Sequence, residues 1–240
     1  MKELMSPRDV LLLATGHGDV WVSAVDSCGG IGKEAHDTLQ VDPIPVGMLT
    51  ARVALLEVMA VGAKPAFASI AVSNGPDAAE ALICGAKKML GEHLPCIIST
   101  EKNMPTSMTG FGITVTGLCK MKDLLTARAK PGDTLYCVGT PLVGGETLDE
   151  KAKLFGVKEL EILLKNPHVH AIIPVGSKGI AAEAGILAAE NGLQFQLNRS
   201  PAVDLNKSAG PSTCAVCSAD RCTDWGINLP IFEIGILLHL

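Results

Sequence analysis

Acidic side chains beside apolar stretches, together with one glycine-rich turn, are the residues of this chain best suited to chemistry. Asp26 follows the apolar residues 20–25, and Glu57 lies inside the longer apolar stretch 46–62. The turn after Asp26 reads Cys28-Gly29-Gly30-Ile31-Gly32-Lys33. Asp19 and Glu101 are two further acids at the ends of apolar stretches.

These residue types favour the binding of a magnesium-bound phosphate compound. Glycines let backbone amides approach a ligand because no Cβ intervenes, and successive amides can bind an anion. Lys33 would add a point charge for a phosphate. Mg²⁺ prefers oxygen ligands and often bridges carboxylates to substrate phosphates. The turn matches neither G-x-x-x-x-G-K-[ST] nor G-x-G-x-x-G, so its composition fits an ordinary strand-to-helix turn equally well.

The elements that must position these residues follow from hydrophobic periodicity. Residues 20–25 predict a strand, and residues 46–62 predict a helix with one apolar face. Within that helix, Glu57 needs a partner if it is buried. Further strands are expected at residues 65–73, 96–100, 111–118, 134–138, 170–174 and 227–240. Helices are expected at residues 77–90, where Asp77 would be the cap, at 147–165 and at 180–191, and residues 1–15 read as a helix or an arm.

The turn Lys130-Pro131-Gly132-Asp133 predicts a boundary between two domains, residues 1–129 and 130–240. The chain has 240 residues, 48% of them hydrophobic, which is enough for one large core or two modest ones. Its net charge is −5, without a basic run or interleaved aromatics, which disfavours nucleic-acid binding. We expect no membrane span, because no apolar run approaches the ~20 residues that one needs. Scattered cysteines favour a reduced, cytoplasmic protein.

Four motifs in the first half of the chain resemble those of the aminoimidazole ribonucleotide synthetase (PurM-like) superfamily. The segment of residues 26–33 is similar to its D-G-V-G-T-K turn, and residues 36–42, HDTLQVD, resemble H-D-T-I-G-I-D. Residues 56–65 resemble its N/S-D-x-x-x-x-G-A-x-P helix end, and Gly16-His17-Gly18-Asp19 resembles a G-x-G-D-D sequence of some members. The resemblance covers the second half of the chain poorly.

The resemblance implies an α/β (α+β) fold of two domains. The mixed sheet of the first domain would form a barrel across a homodimer, and a smaller α/β domain would cover the substrate. It also implies ATP and Mg²⁺ as cofactors and a small-molecule substrate. The metal ligands would be Asp19, Asp26, Glu57 and Glu101. The nucleotide would contact Gly29, Gly30, Gly32, Lys33, His36, Asp37, Thr100 and Asn103.

The activity that the resemblance implies is ATP-dependent phosphoryl transfer to a small metabolite, with no residue identified as a general base. The short second domain favours a kinase similar to the α-ribazole kinase of cobamide salvage. A thiamine-monophosphate kinase and a related ATP-dependent ligase are alternatives. In the family, one strand ends in G-G-E/D-T, and the matching residues 99–105 of this chain keep the acid, Glu101, but lack both glycines. The family also has an acidic D-x-x-x-G-G turn, and the matching residues 174–179 lack that acid. A non-catalytic nucleotide-binding protein is therefore a further alternative.

Two other groups of residues could bind a metal. Cys214, Cys217 and Cys222 lie within nine residues and would suit a metal-sensing protein, although unligated thiols are the default. His168 and His170 would share one face of a strand, where a loop-edge pair without a chemical role is the simpler expectation.

Overall fold

The computed structural model describes residues 2–4, 8–220 and 225–240. The first half contains β1 (Lys2–Leu4), β2 (Leu11–Ala14), β3 (Asp19–Gly29), β4 (Ile31–Gly32), β5 (Leu39–Gln40), α1 (Pro43–Ala60), β6 (Lys64–Val72), α2 (Pro76–Leu90), β7 (Cys96–Thr100) and β8 (Gly110–Lys120). The second half contains β9 (Thr134–Gly139), α3 (Val157–Lys165), β10 (Val169–Pro174), α4 (Ile180–Glu190), β11 (Leu193–Leu197), β12 (Cys214–Ala219) and β13 (Ile231–His239). Short 3₁₀ turns cover Met121–Asp123 and Gly144–Leu148.

The first sheet has six strands in the order β1-β2-β3-β8-β6-β7. Only the β6–β7 pair is parallel, because α2 provides the crossover between those two strands. Alternate residues of β3, Val20, Val22 and Ala24, are buried beneath the helices. The opposite face of the sheet is uncovered and carries exposed apolar residues, with Val25 69% and Ile97 70% exposed, beside polar ones such as Ser23, Thr114 and Thr116.

The second sheet has five antiparallel strands in the order β10-β12-β9-β13-β11. One face packs against α4, where Ile180 and Leu187 are fully buried. The other face packs against α3 and α1, and Leu56 of α1 shares a core with Phe155 and Leu160. The predicted boundary at residues 129 and 130 falls in the connection between β8 and β9. The mixed α/β fold class expected from the sequence is confirmed.

Helix α1 lies between the two sheets and therefore buries most of its surface. It packs on β3 and β8 of the first sheet and also on β10 and α3 of the second half. By length and composition α1 could cross a membrane, contrary to the expectation from apolar run length, but 67% of it is buried inside the protein. A core helix between two sheets accounts for that composition.

Three expectations about secondary structure are wrong. Of the two alternatives for residues 1–15, a helix or an arm, the helix is wrong: residues 2–4 and 11–14 form the antiparallel pair β1–β2, in which Leu12 is buried while Leu11 is exposed. The expected helix 147–165 forms only over Val157–Lys165, because Phe155 turns into the core and Gly156 occupies the N-cap. The N-cap of α2 is Gly75, and Asp77 lies in the first turn without a capping hydrogen bond.

Among the described residues, neither of the two candidate metal-binding groups is assembled. Cys214 and Cys217 are buried in β12, in the cores on opposite faces of the second sheet, since a spacing of three residues reverses the side-chain direction in a strand. Cys222 lies outside the described residues. His168 Nδ1 contacts Asp220 Oδ1 at 2.9 Å, and His170 Nδ1 contacts Asp133 Oδ2 at 2.8 Å. Each histidine therefore has its own carboxylate partner.

Candidate functional site

A cavity of ≈ 1150 Å³ opens between the first sheet, α1 and the loops of the second half. Its first-half walls come from residues before β2, the second half of β3, the glycine-rich turn and one face of α1. Its second-half walls come from Val143, Gly144, Thr147, Leu148, Gly176, Ser177, Gly210, Pro211 and Ser212. The charged residues in this lining are Arg8, Asp9, Asp26 and Glu57.

Asp26 reaches the cavity because of strand periodicity. The even-numbered residues of β3 point toward α1, and Asp26 continues this row where the helix no longer covers the strand. Burial raises the pKa of Asp26 to about 6, and the backbone amide of Ser27 acts in the opposite direction. A carboxylate that is partly removed from water in this way is suited to binding a cation.

Glu57 reaches the same cavity from α1. Val46, Thr50, Val53 and Glu57 follow one another at helical spacing and all line the cavity. Burial raises the pKa of Glu57 to about 8. The charge of Arg8 lowers it, whereas Glu183, Asp9 and Asp26 raise it further. The sequence-based expectation that this carboxylate would be buried is thus met, and its surroundings are largely acidic.

Asp9 is a site residue that the sequence analysis missed. It precedes β2, which pairs with β3 so that Leu11 lies opposite Ser23. Residues 8 and 9 form a bend just before this strand, and both Asp9 and Asp26 line the cavity. The charge of Asp9 also raises the pKa of Glu57. The sequence does contain a signal for this position. Asp9 precedes the apolar residues 10–13, which are followed by a turn and a strand, and this pattern predicts a hairpin that brings Asp9 back to the end of β3.

Asp19 is not brought to this cavity. It begins β3, seven residues before Asp26, which corresponds to about 23 Å along an extended strand. Its carboxylate forms a salt bridge with Lys120 Nζ at 2.6 Å. Residues 16–19 form the hairpin turn and the start of β3, so their G-x-G-D pattern marks a turn at the opposite end of the strand.

Of the glycine-rich turn, Gly29 lines the cavity whereas Gly30 and Gly32 serve the packing of the turn. Gly30 has a φ of +71°, and its amide donates to Thr109 O at 2.9 Å. A Cβ on Gly32 would overlap Thr109 Oγ1 and lie 2.8 Å from Asp37 Oδ2. Lys33 is outside the cavity lining, and its Nζ contacts Asp42 Oδ2 at 3.0 Å.

His36 and Asp37 hold this turn against residues 107–109. The Oδ1 and Oδ2 atoms of Asp37 accept from Thr109 N and Oγ1, both at 2.7 Å. Burial alone would raise the pKa of Asp37, but these bonds and the amide of Glu34 hold it below its ordinary value. His36 Nδ1 lies 3.1 Å from Ser107 Oγ on the surface. Both residues are therefore placed in structural contacts, away from the cavity lining.

Thr100, Glu101 and Asn103 line a different cavity of ≈ 730 Å³ beside the start of α2. The Glu101 carboxylate accepts from the backbone amides of Asn103, at 2.6 Å, and Met104, at 3.3 Å. These bonds hold its pKa below the ordinary value for a glutamate. The structure does not bring these three residues to the cavity that contains Asp26 and Glu57.

The carboxylates of Asp9, Asp26 and Glu57 fit Mg²⁺ by the chemistry of their donor atoms, because hard cations prefer oxygen ligands. Across the described ranges, no group of three or more acidic, histidine or cysteine side chains is already gathered into a metal-binding cluster. Magnesium usually retains several waters and shares its coordination with substrate phosphates. One or two carboxylates from this set would therefore suffice.

Arg8 ties this site to the second half of the protein. Its side chain is fully buried, and Nη2 lies 2.6 Å from Glu190 Oε2 of α4. Its Nη1 donates to Ile172 O of β10 at 2.6 Å. Asp9, the next residue, is thereby held where the two sheets meet.

Several solved structures of other proteins share this architecture. No family model matches the chain, and no match was found among curated proteins. Among solved structures, a thiamine-monophosphate kinase from Stenotrophomonas maltophilia shares 19% identity, with a TM-score of 0.64 over 99% of this chain and 89% of that one. The thiamine monophosphate kinase of Aquifex aeolicus shares 16% identity, with a TM-score of 0.67 over 96% of this chain and 89% of that one.

A structure of a HypE–HypF complex is similar at 14% identity and a TM-score of 0.66, over 97% of this chain and 88% of that one. These similarities extend over both halves, including the second half that the motif resemblance covered poorly. The chain therefore has the PurM-like fold of these structures.

Proposed function

We propose that this protein is a Mg-ATP-dependent kinase that phosphorylates a small molecule in the cavity between its two halves. The observation that carries the proposal is the convergence of Asp9, Asp26 and Glu57 on that cavity beside the backbone of Gly29. A bound Mg²⁺ would neutralise phosphate charge, and phosphoryl transfer asks a protein mainly for positioning and charge stabilisation. Asp9, Asp26 and Glu57 would hold the metal ion, and Gly29 would contact the nucleotide.

The similar structures support the choice of nucleotide. The structure titled AaThiL complexed with AMPPCP and TMP has a TM-score of 0.61 over 97% of this chain, at 16% identity. AMPPCP is an ATP analogue, so a fold of this kind accommodates a triphosphate. The predicted nucleotide contacts of Gly30, Gly32, Lys33, His36, Asp37, Thr100 and Asn103 remain predictions, as does the predicted metal-ligand role of Glu101. None of these residues lines this cavity.

We propose α-ribazole as the acceptor. The lining is largely apolar, with Val41, Leu49 and Val53 on the first-half side and Val143 and Leu148 on the other. Of its charged residues, Arg8 is paired with Glu190 and the others are acids. An uncharged nucleoside with a flat apolar base suits such a wall better than a phosphate monoester does.

Thiamine monophosphate is the second candidate, favoured by the similarity to thiamine-monophosphate kinases. A phosphate-bearing acceptor would need a cation at the cavity. One lysine of the second half near the lining residues 143–148 is Lys207, whose Nζ lies 2.9 Å from Glu146 Oε1. It would have to leave that partner to bind the acceptor phosphate.

The active form that we propose is a cytoplasmic homodimer. The uncovered face of the first sheet presents Val25, Phe67 and Ile97, each at least 40% exposed. Large apolar side chains exposed together on one sheet face are typical of a surface that another subunit covers. A second copy of this chain would bury it and join the two sheets into a barrel.

The test is ADP production by the purified protein with Mg-ATP and a panel of acceptors. The panel contains α-ribazole, thiamine monophosphate and formylglycinamidine ribonucleotide, the last to detect ligase activity. Stimulation by α-ribazole supports the proposal, and stimulation by either other compound reassigns the substrate. Binding of AMPPCP without turnover on any compound would favour the non-catalytic nucleotide-binding alternative. No AMPPCP binding would show that the fold is retained without its site.

A further inference from the structure

Arg52 is a buried cation on α1 that contacts the opposite wall of the cavity. Only 4% of the residue is exposed. Its Nη2 donates to the carbonyl oxygens of Pro211 and Ser212, at 3.0 Å for Ser212. Both acceptor residues, with Gly210, line the cavity from the second half of the protein. Arg52 thus links the helix that carries Glu57 to the wall that faces it.

The segment of residues 209–213 is also held at its last residue, Thr213. Thr213 Oγ1 accepts from the amide of Leu142 at 2.8 Å, next to the lining residue Val143. Ser212, which contacts Arg52 through its carbonyl and precedes Thr213, has a φ of +56°, an uncommon conformation for a residue with a side chain. A backbone held in such a conformation depends on the contacts around it, and Arg52 provides two of them.

Stability alone is a poor explanation for this arginine. Burial lowers the pKa of Arg52 to about 10, and the charge of Glu159 acts in the opposite direction. The side chain therefore stays charged at neutral pH while it is buried. Its Nε has no hydrogen-bond partner among the described residues. Buried ions can often be replaced by apolar residues of similar volume without loss of stability, so a positional role deserves a direct test.

We propose that Arg52 is a positioning residue that fixes residues 210–212 as the acceptor-binding wall and sets that wall relative to the Glu57 helix. This inference rests on the proposed kinase function for its kinetic consequence. Arg52 does not line the cavity itself, so it would act through the carbonyls of Pro211 and Ser212. The nucleotide side of the site, at Asp26 and Gly29, belongs to the first half and would not depend on it.

The test compares Arg52→Met, Arg52→Lys and the control Arg128→Met. Arg128 is exposed and also donates to a backbone carbonyl, that of Lys122, but lies outside the cavity lining. A misplacement of about 1 Å can reduce a rate by about 100-fold. We expect Arg52→Met to reduce kcat/KM for the acceptor by about 10- to 100-fold. Its affinity for Mg-AMPPCP should stay within about twofold of the wild-type value, because the contacts around Asp26 and Gly29 are unchanged.

Arg52→Lys should recover part of the lost rate, because an ammonium keeps the charge but cannot reproduce the planar fork of a guanidinium. Arg128→Met should behave as the wild type. Equal kcat/KM for Arg52→Met and Arg128→Met would overturn the proposal. A parallel loss of AMPPCP binding and thermal stability in both Arg52 variants would also overturn it, since that result indicates a general folding role.

Hydrogen exchange separates this inference from the proposed function. We expect the amides of Gly210, Ser212 and Thr213 to exchange faster in Arg52→Met than in the wild type and in Arg128→Met. Unchanged exchange would refute the positioning of the wall, whichever acceptor is used. If these amides exchange faster in Arg52→Met but the wild-type protein turns over no acceptor, the structural role of Arg52 is retained and the kinase assignment is rejected.

Discussion

The carboxyl group of Glu57 should make the metal-free protein less stable as the pH rises, and Glu57→Gln should remove that effect. Burial raises the pKa of Glu57 from 4.5 to about 8. The folded protein therefore binds a proton at Glu57 that the unfolded chain releases between these two values. In this window the folded state binds more protons, so the free energy of unfolding contributed by Glu57 falls as the pH increases.

The magnitude follows from the size of the shift. Each pKa unit corresponds to ~1.4 kcal/mol. From the unfolded value of 4.5 to pH 7, Glu57 reduces the free energy of unfolding by about 3 kcal/mol. Glutamine has a similar shape and no such proton equilibrium. We expect Glu57→Gln to be about 3 kcal/mol more stable than the wild type at pH 7 and nearly equal to it at pH 4.5.

The assay is equilibrium urea unfolding of both proteins between pH 4.5 and pH 8 in the presence of a chelator. Other titrating groups are common to both proteins, so the difference between them isolates Glu57. Glu101→Gln is the control, because hydrogen bonds to the amides of Asn103 and Met104 lower the pKa of that exposed carboxyl group. A Glu57→Gln variant that gains no stability at pH 7, or a gain that does not grow with pH, would refute the reasoning. With Mg-AMPPCP, the wild type should be stabilised more than the variant.

Three other changes test the site and the surface. Asp9→Asn should weaken Mg-AMPPCP binding by at least about tenfold in calorimetry. Asp19→Asn should leave this affinity unchanged, because Asp19 pairs with Lys120 outside the cavity. A larger loss of affinity in Asp19→Asn than in Asp9→Asn would restore the motif-based assignment of Asp19. Gly32→Ala should lower the free energy of unfolding in urea by ~1–3 kcal/mol, because its Cβ would overlap Thr109. Gly29→Ala should lower it less, because its Cβ would lie 3.9 Å from Thr109 O. Equal losses of stability would contradict the packing argument. Ile97→Lys should shift the protein from dimer to monomer in light scattering, and a monomeric wild type would exclude the proposed interface.

The sequence predicted the elements whose signals are local. Strands β3, β6, β7 and β8 and helix α1 lie within a few residues of their expected positions, because strand alternation and helical spacing are written in adjacent residues. The same signals placed Asp26 directly after a strand of residues 20–25, whereas β3 continues to Gly29. They also placed Glu57 on a helix, which packs on β3. Helix 147–165 was overextended because a run of charges does not reveal that Phe155 is needed in the core.

The choice between Asp9 and Asp19 shows where local motifs fail. Both acids stand beside apolar stretches, and residues 16–19 fit a family-like pattern better than residues near Asp9 do. The hairpin between β2 and β3 separates the two acids, since Asp9 lines the same cavity as Asp26 whereas Asp19 lies at the far end of β3 and pairs with Lys120. Cys214 and Cys217 give a second example, since they lie on opposite faces of β12.

The sequence by itself determined the mixed α/β class and most strands and helices. It also predicted a common site for Asp26, Gly29 and Glu57, which line one cavity. The tertiary structure alone decided which residues share the cavity. Arg8 contacts Glu190, and Arg52 contacts Pro211 and Ser212, across separations of more than 150 residues. Such pairs have no local signature, because they depend on how the second sheet docks against α1. That docking is set by apolar packing, which fixes the polar contacts at its edges.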